Sequence, residues 1–191
     1  MEALAIEPGT ADDLEAIIRI YQHFVLTTAY TFDLETKPIT WWRNWLSRFE
    51  RTGRHRLFVA HERGAVRGYA LSDAYRDRPA YDPSVLTSVY VVPDHLGRGV
   101  GTALYRALLS SLQAEDVHRA YAAIAMPNPA SVRLHEHCGF IQTGYFSEQG
   151  RKFARYWDVA WYERRFLTSG WTTDPYPGAV DTAIQAEGKT P

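Results

Sequence analysis

The segment SVYVVPDHLGRGVGTALYRALL, which begins at Ser88, puts glycines at 97, 99 and 101 between a Pro-bounded turn and a helix-periodic run. Glycine lets the main chain approach a ligand closely, and the unpaired N–H groups of a helix start attract phosphate, so this loop reads as a pyrophosphate cradle. A Walker A nucleotide loop requires a Lys after the glycines, and none follows here. A dinucleotide fingerprint asks for an acidic residue about 20 positions on, at the end of the next strand; this chain has Ala125, Met126 and Pro127 there. Coenzyme A remains, its pyrophosphate in the loop and its pantetheine arm along the preceding strand. Two further groups suit chemistry. His135 has a ring that titrates near neutral pH, and Arg76 and Arg78 in YRDRPAY offer guanidinium forks for the oxygens of an anionic group such as a carboxylate. His137 lies two residues from His135 and faces elsewhere on a helix, so no metal pair is expected.

The elements that must carry these groups follow from periodicity. Residues 4 to 7 read as a first strand, and Thr10 with Asp13 as the cap of a helix whose Leu14, Ile17, Ile18, Tyr21 and Val25 share a face. WWRNWLSRFE places Trp41 and Trp45 at i and i+4 on a short second helix. LFVAHE and VRGYALSDAY read as a hairpin around Arg63, Gly64 and Ala65, and VLTSVYVV as the next strand. After the glycine loop, Val100, Ala103, Leu104, Ala107, Leu108, Ser111 and Leu112 line one helical face. RAYAAIA is a strand. Asn128 and Pro129 open a helix that Gly139 ends, with Ala130, Leu134 and Cys138 on one side. IQTGYFS and FARYWDVAWYER are read as the last two strands, residues 1–168 as the domain, and 169–191 as a loosely ordered tail.

Composition sets bounds. The chain has 191 residues, 21 Lys+Arg against 22 Asp+Glu, and one cysteine, Cys138. That length suits one core. A net charge of −1 provides no field for a polyanion, so nucleic acid is not an expected partner. No apolar run approaches the roughly 18 residues of a membrane span, and MEALAIEP lacks the start of a signal peptide. No membrane partner and a cytoplasmic location are expected, without intramolecular disulfides.

LxGRGVG after a VYV strand, followed by an Asn that opens a helix ending in GF, resembles the GNAT N-acetyltransferases. VYVVPDHLGRGVGTALYRALLSSL, NPASVRLHEHCGF, YRDRPAY and GRKFARYWD together are similar to the phosphinothricin and methionine-sulfone acetyltransferases, over residues 4 to 163. The resemblance implies an α/β GNAT fold: a mixed, mostly antiparallel sheet splayed between its fourth and fifth strands, with helices on both faces. It implies acetyl-CoA as cosubstrate, a small amino-acid-like amine as acceptor, direct transfer in a ternary complex, and a homodimer. In it, the backbone of Val89, Tyr90 and Val91 pairs with pantetheine and polarises the thioester. Leu96, Gly97, Arg98, Gly99, Val100 and Gly101 hold the pyrophosphate, and Asn128 contacts pantetheine besides capping its helix. His135 stands where the family carries its acid or base. Phe32, Arg76, Arg78, Tyr81 and Lys152 match acceptor-site positions, and Trp157 and Asp158 follow the family's late pattern.

Two positions depart from the family. Leu86 stands where the phosphinothricin-like enzymes carry a Glu base, and Leu96 replaces a Gln or Arg at the head of the glycine loop. Deprotonation then falls to His135, to a water held near Thr87 and Ser88, or to bulk base. The rival readings are another amine as acceptor, a polyamine or a protein N-terminus; an acyl-CoA-binding regulator without turnover; and a nicotinamide oxidoreductase.

Overall fold

A computed structural model describes residues 4–166; the expected domain end at 168 and the tail 169–191 lie outside the described residues. The chain begins with β1 (Ala5–Pro8), and the Asp13 carboxylate then accepts from the Thr10 N–H at 2.8 Å and from its hydroxyl at 2.9 Å. These bonds start α1 (Leu14–Thr27), which buries Leu14, Ile17, Ile20 and Val25. The next helix, α2 (Ile39–Leu46), buries Trp42 and Trp45. Trp41, expected to pair with Trp45, is turned outward instead. α2 is only eight residues long, and its contact face is set by the Trp42 ring, which meets Tyr21 edge-on at 5.4 Å and Trp45 at 5.0 Å.

Strands β2 (Arg56–Glu62) and β3 (Ala65–Ala74) form the expected hairpin, with Arg63 (φ 53°) and Gly64 (φ 69°) turning in the left-handed region that a two-residue hairpin loop demands. Then come β4 (Ser84–Val91), α3 (Val100–Leu112), β5 (Arg119–Ala125), α4 (Pro129–His137), β6 (Ile141–Lys152) and β7 (Arg155–Arg165). The last hairpin differs from expectation. β6 resumes pairing after a bulge between Phe146 and Gly150 and runs on to Lys152, so Phe153 and Ala154 are the turn rather than the start of β7. β6 is an edge strand with little burial on either side, so it lacks the alternation by which a strand is read.

The sheet order is β1-β2-β3-β4-β5-β7-β6, and among the described residues only β4 and β5 run parallel. Their ladder holds for three pairs, ending at Leu86↔Tyr121, while β3 stays paired to β4 up to Val91 and β7 to β5 up to Ala125. Beyond Leu86 the sheet is therefore split from inside. One face packs on α3 through Leu104, Leu108, Leu112, Val85, Ala120 and Ile124; the other packs on α1 and α2 through Ile17, Trp42, Trp45, Tyr69 and Leu71. α3 buries Tyr105 and Leu109 in place of the expected Ala103, Ala107 and Ser111, because its stripe faces the sheet and Phe140 together.

Candidate active site

The split leaves the facing edges of two strands without partners, which in a closed sheet would be paired. Between them, and between the starts of α3 and α4, lies a cleft of about 880 Å³. Its walls gather Val89, Tyr90 and Val91 of β4, Ala122 to Ala125 of β5, Leu96, Gly97, Gly99, Val100 and Gly101 of the loop, and Asn128 and His135 of α4. Arg98 sits on the exposed outside of the same loop. Of the residues expected to hold the cofactor, all but Arg98 line this one cleft.

The loop fits a phosphate. Gly97 (φ 74°) and Gly99 (φ 83°) adopt left-handed backbone, and a Cβ on either would meet nothing within 4 Å, so the space before the helix is open. Gly99 is the cap of α3, whose first N–H groups have no intrahelical acceptor and carry the positive end of the helix dipole. Gly101 serves packing: a Cβ there would lie 3.2 Å from the Leu134 side chain, so its absence lets α3 approach α4. At the head of the loop, His95 is buried between two carboxylates, Nδ1 at 2.9 Å from Asp94 and Nε2 at 3.1 Å from Glu62. Asn128 accepts the Ser131 N–H at 3.1 Å, the N-cap bond its type promised.

His135 is 3% exposed, and both ring nitrogens are engaged within the protein. Nδ1 lies 2.8 Å from the Ser131 carbonyl, which only accepts, so Nδ1 carries the proton and Nε2 accepts from the Tyr105 hydroxyl at 2.8 Å. The same Tyr105 hydroxyl lies 3.2 Å from Thr87 Oγ1, and Thr87 donates to the Tyr121 carbonyl at 3.0 Å, at the apex of the split. Tyr105 thus has one proton and two acceptors. Burial pushes the His135 pKa below its ordinary 6.5, against the smaller raising effect of the Ser131 bond, so the ring is neutral at pH 7. Burial also pushes the Tyr105 phenol well up, with Thr87 opposing, so it stays protonated. Tyr105 was not singled out in the sequence; a phenol at a buried helix position reads as packing, and its partners come from β4 and α4.

The residues expected at the acceptor site do not share the cleft. Arg76 lies over the rings of Tyr75 and Tyr81 on the β3–β4 loop, and Arg76 and Tyr81 line a separate cavity of about 480 Å³ with Arg48, Arg54 and Asp82. Arg78, exposed on the same loop, has no side-chain hydrogen bond or ion pair among the described residues. Phe32 packs where Gly150 leaves room: a Cβ on Gly150 would lie 2.5 Å from the ring. Lys152 is 4% exposed, and its ammonium donates to the Thr31 carbonyl at 2.8 Å, pinning the α1–α2 loop to the last hairpin. Burial lowers its pKa, with Asp33 opposing. Trp157 Nε1 donates to the Lys152 carbonyl at 2.9 Å, and Asp158 accepts from Tyr145 and from the Glu148 N–H. Tyr75 stacks on Tyr121 at 4.5 Å, which ties the arginine loop to β5 beside the split. Among the described residues no cluster of three or more potential metal ligands occurs, and no helix is long and apolar enough to cross a membrane.

Fold and cleft together define an α/β protein suited to a pyrophosphate-bearing ligand with an extended arm. The chain belongs to the GNAT acetyltransferase family, whose domain model matches residues 6–161 and whose members use acetyl-CoA. It is 50% identical over 161 residues to a phosphinothricin N-acetyltransferase of Streptomyces coelicolor, covering 83% of this chain and 94% of that one. It is 33% identical over 151 residues to an L-methionine sulfoximine/L-methionine sulfone acetyltransferase of Salmonella typhimurium, covering 79% and 88%. The solved structure of a GNAT superfamily phosphinothricin acetyltransferase from Sinorhizobium meliloti, in complex with AcCoA, superimposes with a TM-score of 0.82 at 30% identity, over 93% of this chain and 97% of that one. The protein is an acetyltransferase of that family.

Proposed function

We propose that the protein transfers acetyl from acetyl-CoA to the α-amine of a small acidic amino-acid analogue, of the phosphinothricin or methionine-sulfone type, in a ternary complex. The observation that carries this reading is the parting of β4 from β5 beyond Leu86, directly before a phosphate loop at the head of α3. The donor's pyrophosphate sits on the N–H groups of residues 97 to 101, and its pantetheine arm adds to the free edge at Val89 to Val91, where a main-chain N–H polarises the thioester carbonyl. Most of the rate gain is positional. The amine arrives from the opposite face of the sheet, held at its acidic end by Arg78 and Arg76, with Phe32 as a wall.

Attack forms the N–C bond and breaks the C–S bond. As the C–S bond breaks, the Tyr105 hydroxyl, kept protonated by burial and held in place by His135 and Thr87, turns its one hydrogen bond from the His135 ring to the leaving sulfur. His135 is then a positioning residue that works through Tyr105. Homodimer formation is part of the proposal: β6 is a free edge whose Ile141, Tyr145 and Phe146 are exposed, as are Phe153 and Tyr156 beyond it.

The test is thiol release from acetyl-CoA with phosphinothricin, methionine sulfone, methionine sulfoximine, ordinary amino acids and spermidine. Turnover confined to the sulfone, sulfoximine and phosphinate acceptors, with an acceptor KM raised in Arg78→Ala and an unchanged acetyl-CoA KM, supports it. Turnover with spermidine alone, or acetyl-CoA binding without thiol release, overturns it.

A further inference from the structure

Acetyl transfer starts from an ammonium that must be bound and must lose a proton, and neither Leu86 nor the enclosed His135 meets that need. The sheet register points to where a carboxylate does lie. Asp73 on β3 is directly opposite Leu86 on β4, and Leu86 is opposite Tyr121 on β5, which faces Glu163 on β7. Residues opposite one another share a face, so these four side chains form one row across the sheet, at the last paired position before it splits. The row lies on the α1/α2 face, because Asp73 meets Arg48 just beyond α2. Cβ atoms of directly opposed residues are about 5 Å apart. The Asp73 carboxylate therefore lies one strand to the side of Leu86, on the face away from the phosphate loop.

Asp73 is the carboxylate of this row that stands beside Leu86; Glu163 lies two strands away, and Asp33 is not on a strand. Glu163 is paired with Arg119, and Tyr121 stands between it and Leu86 with the Tyr75 ring stacked on it. Asp33, on the α1–α2 loop, accepts the Tyr21 hydroxyl at 3.0 Å. Asp73 uses Oδ2 for Arg48 at 2.8 Å and Oδ1 for the Ala74 N–H at 2.9 Å. A carboxylate has about four acceptor positions, so each oxygen keeps one open. Its side chain is 23% exposed, open to a ligand on this face.

We infer that Asp73 is the acceptor-binding carboxylate of this enzyme, receiving the ammonium of the incoming amine from β3 in place of a carboxylate at position 86. The ammonium gives one proton to Asp73, directly or through one water, and from there to solvent. The neutral amine then forms the N–C bond as C–S breaks, and its second proton ends on the sulfur of CoA. The aliphatic Leu86 side chain lies between Asp73 and the split, and keeps the floor of the site apolar. This inference rests on the proposed reading of the site, and its test separates the two.

Steady-state kinetics with acetyl-CoA and L-methionine sulfone are measured for wild type, Asp73→Asn, Arg48→Met and Asp73→Asn/Leu86→Glu. Loss of a charge-assisted bond raises the acceptor KM about 10- to 100-fold in Asp73→Asn, with the acetyl-CoA KM unchanged. Arg48→Met removes the same ion pair but keeps the carboxylate, so its acceptor KM stays near wild type. Leu86→Glu in the Asp73→Asn background returns a carboxylate one strand away and recovers most of the loss. An unchanged acceptor KM in Asp73→Asn, an equal rise in Arg48→Met, or no recovery on adding Leu86→Glu overturns the inference while the acetyltransferase reading stands. A wild type inactive with L-methionine sulfone and the other amino-acid acceptors overturns that reading, and the inference with it.

Discussion

His135 and Tyr105 form one hydrogen-bonded pair in the wall of the cleft. The imidazole is enclosed and donates from Nδ1 to the Ser131 carbonyl, so what it offers the cleft is an acceptor for the Tyr105 proton. Tyr105→Phe removes the only proton in that chain able to reach a leaving sulfur, and it is expected to lower kcat about 100-fold at unchanged acetyl-CoA KM. Stopped-flow thiol detection checks this. The buried ring also has a signature in stability. Its folded pKa lies below the ordinary 6.5, so between those two values the unfolded chain binds more protons. Stability rises with pH through that window and is lost as pH falls below about 6.5. In His135→Gln that part of the dependence is absent: the gap in thermal midpoint between wild type and variant narrows from pH 8 to pH 5, as calorimetry would record.

At the scale of elements, the site is what remains when a ladder stops. β4 and β5 are held by three pairs and by the Thr87 hydroxyl on the Tyr121 carbonyl, and the two edges beyond are left for a ligand. The glycine loop then sets the distance between the phosphate donors and that gap. Gly99→Ala forces a Cβ into left-handed backbone at a cost of about 1–2 kcal/mol. It should raise the acetyl-CoA KM while leaving the acceptor KM unchanged. Asn128→Ala removes the N-cap of α4 and should lower stability by about 1 kcal/mol in chemical denaturation. Gly101 acts differently. Its backbone is helical and its role is close approach to Leu134, so Gly101→Val moves α3 from α4 and weakens acetyl-CoA binding even though no phosphate contact is removed.

At the scale of the molecule, the seven strands among the described residues leave two edges, and they are unequal. β1 is four residues long, whereas β6 has twelve and carries Phe146 at 54% exposure. A long edge with exposed aromatics is a pairing surface. Sedimentation at the mass of two chains is expected for the wild type, and at the mass of one for Ile141→Lys/Phe146→Lys. A monomeric wild type would remove the dimer from the proposed function.

The glycine loop, the Asn128 cap, the β2–β3 hairpin and the span of β5 were legible in the sequence, because each depends on local backbone rules: left-handed φ, capping geometry and strand-length runs. The side chains that do the work around them were less so. Tyr105 reads as one more buried helix residue until α3 is laid beside β4 and α4; Trp42 rather than Trp41 faces the core because Tyr21 from another helix receives it. Lys152 reads as an acceptor-site residue by its match to the family, and only the fold shows its ammonium bonded to the Thr31 carbonyl, 121 residues away in the chain. That Asp73 stands beside Leu86 is a fact of strand register alone, since thirteen positions separate them in the chain and only the β3–β4 ladder sets them on one row. Periodicity and turn chemistry act within a few residues, so the sequence by itself determined the elements and the family they compose; which side chains meet across strands is decided by pairing and packing between distant segments, and only the tertiary structure contains it.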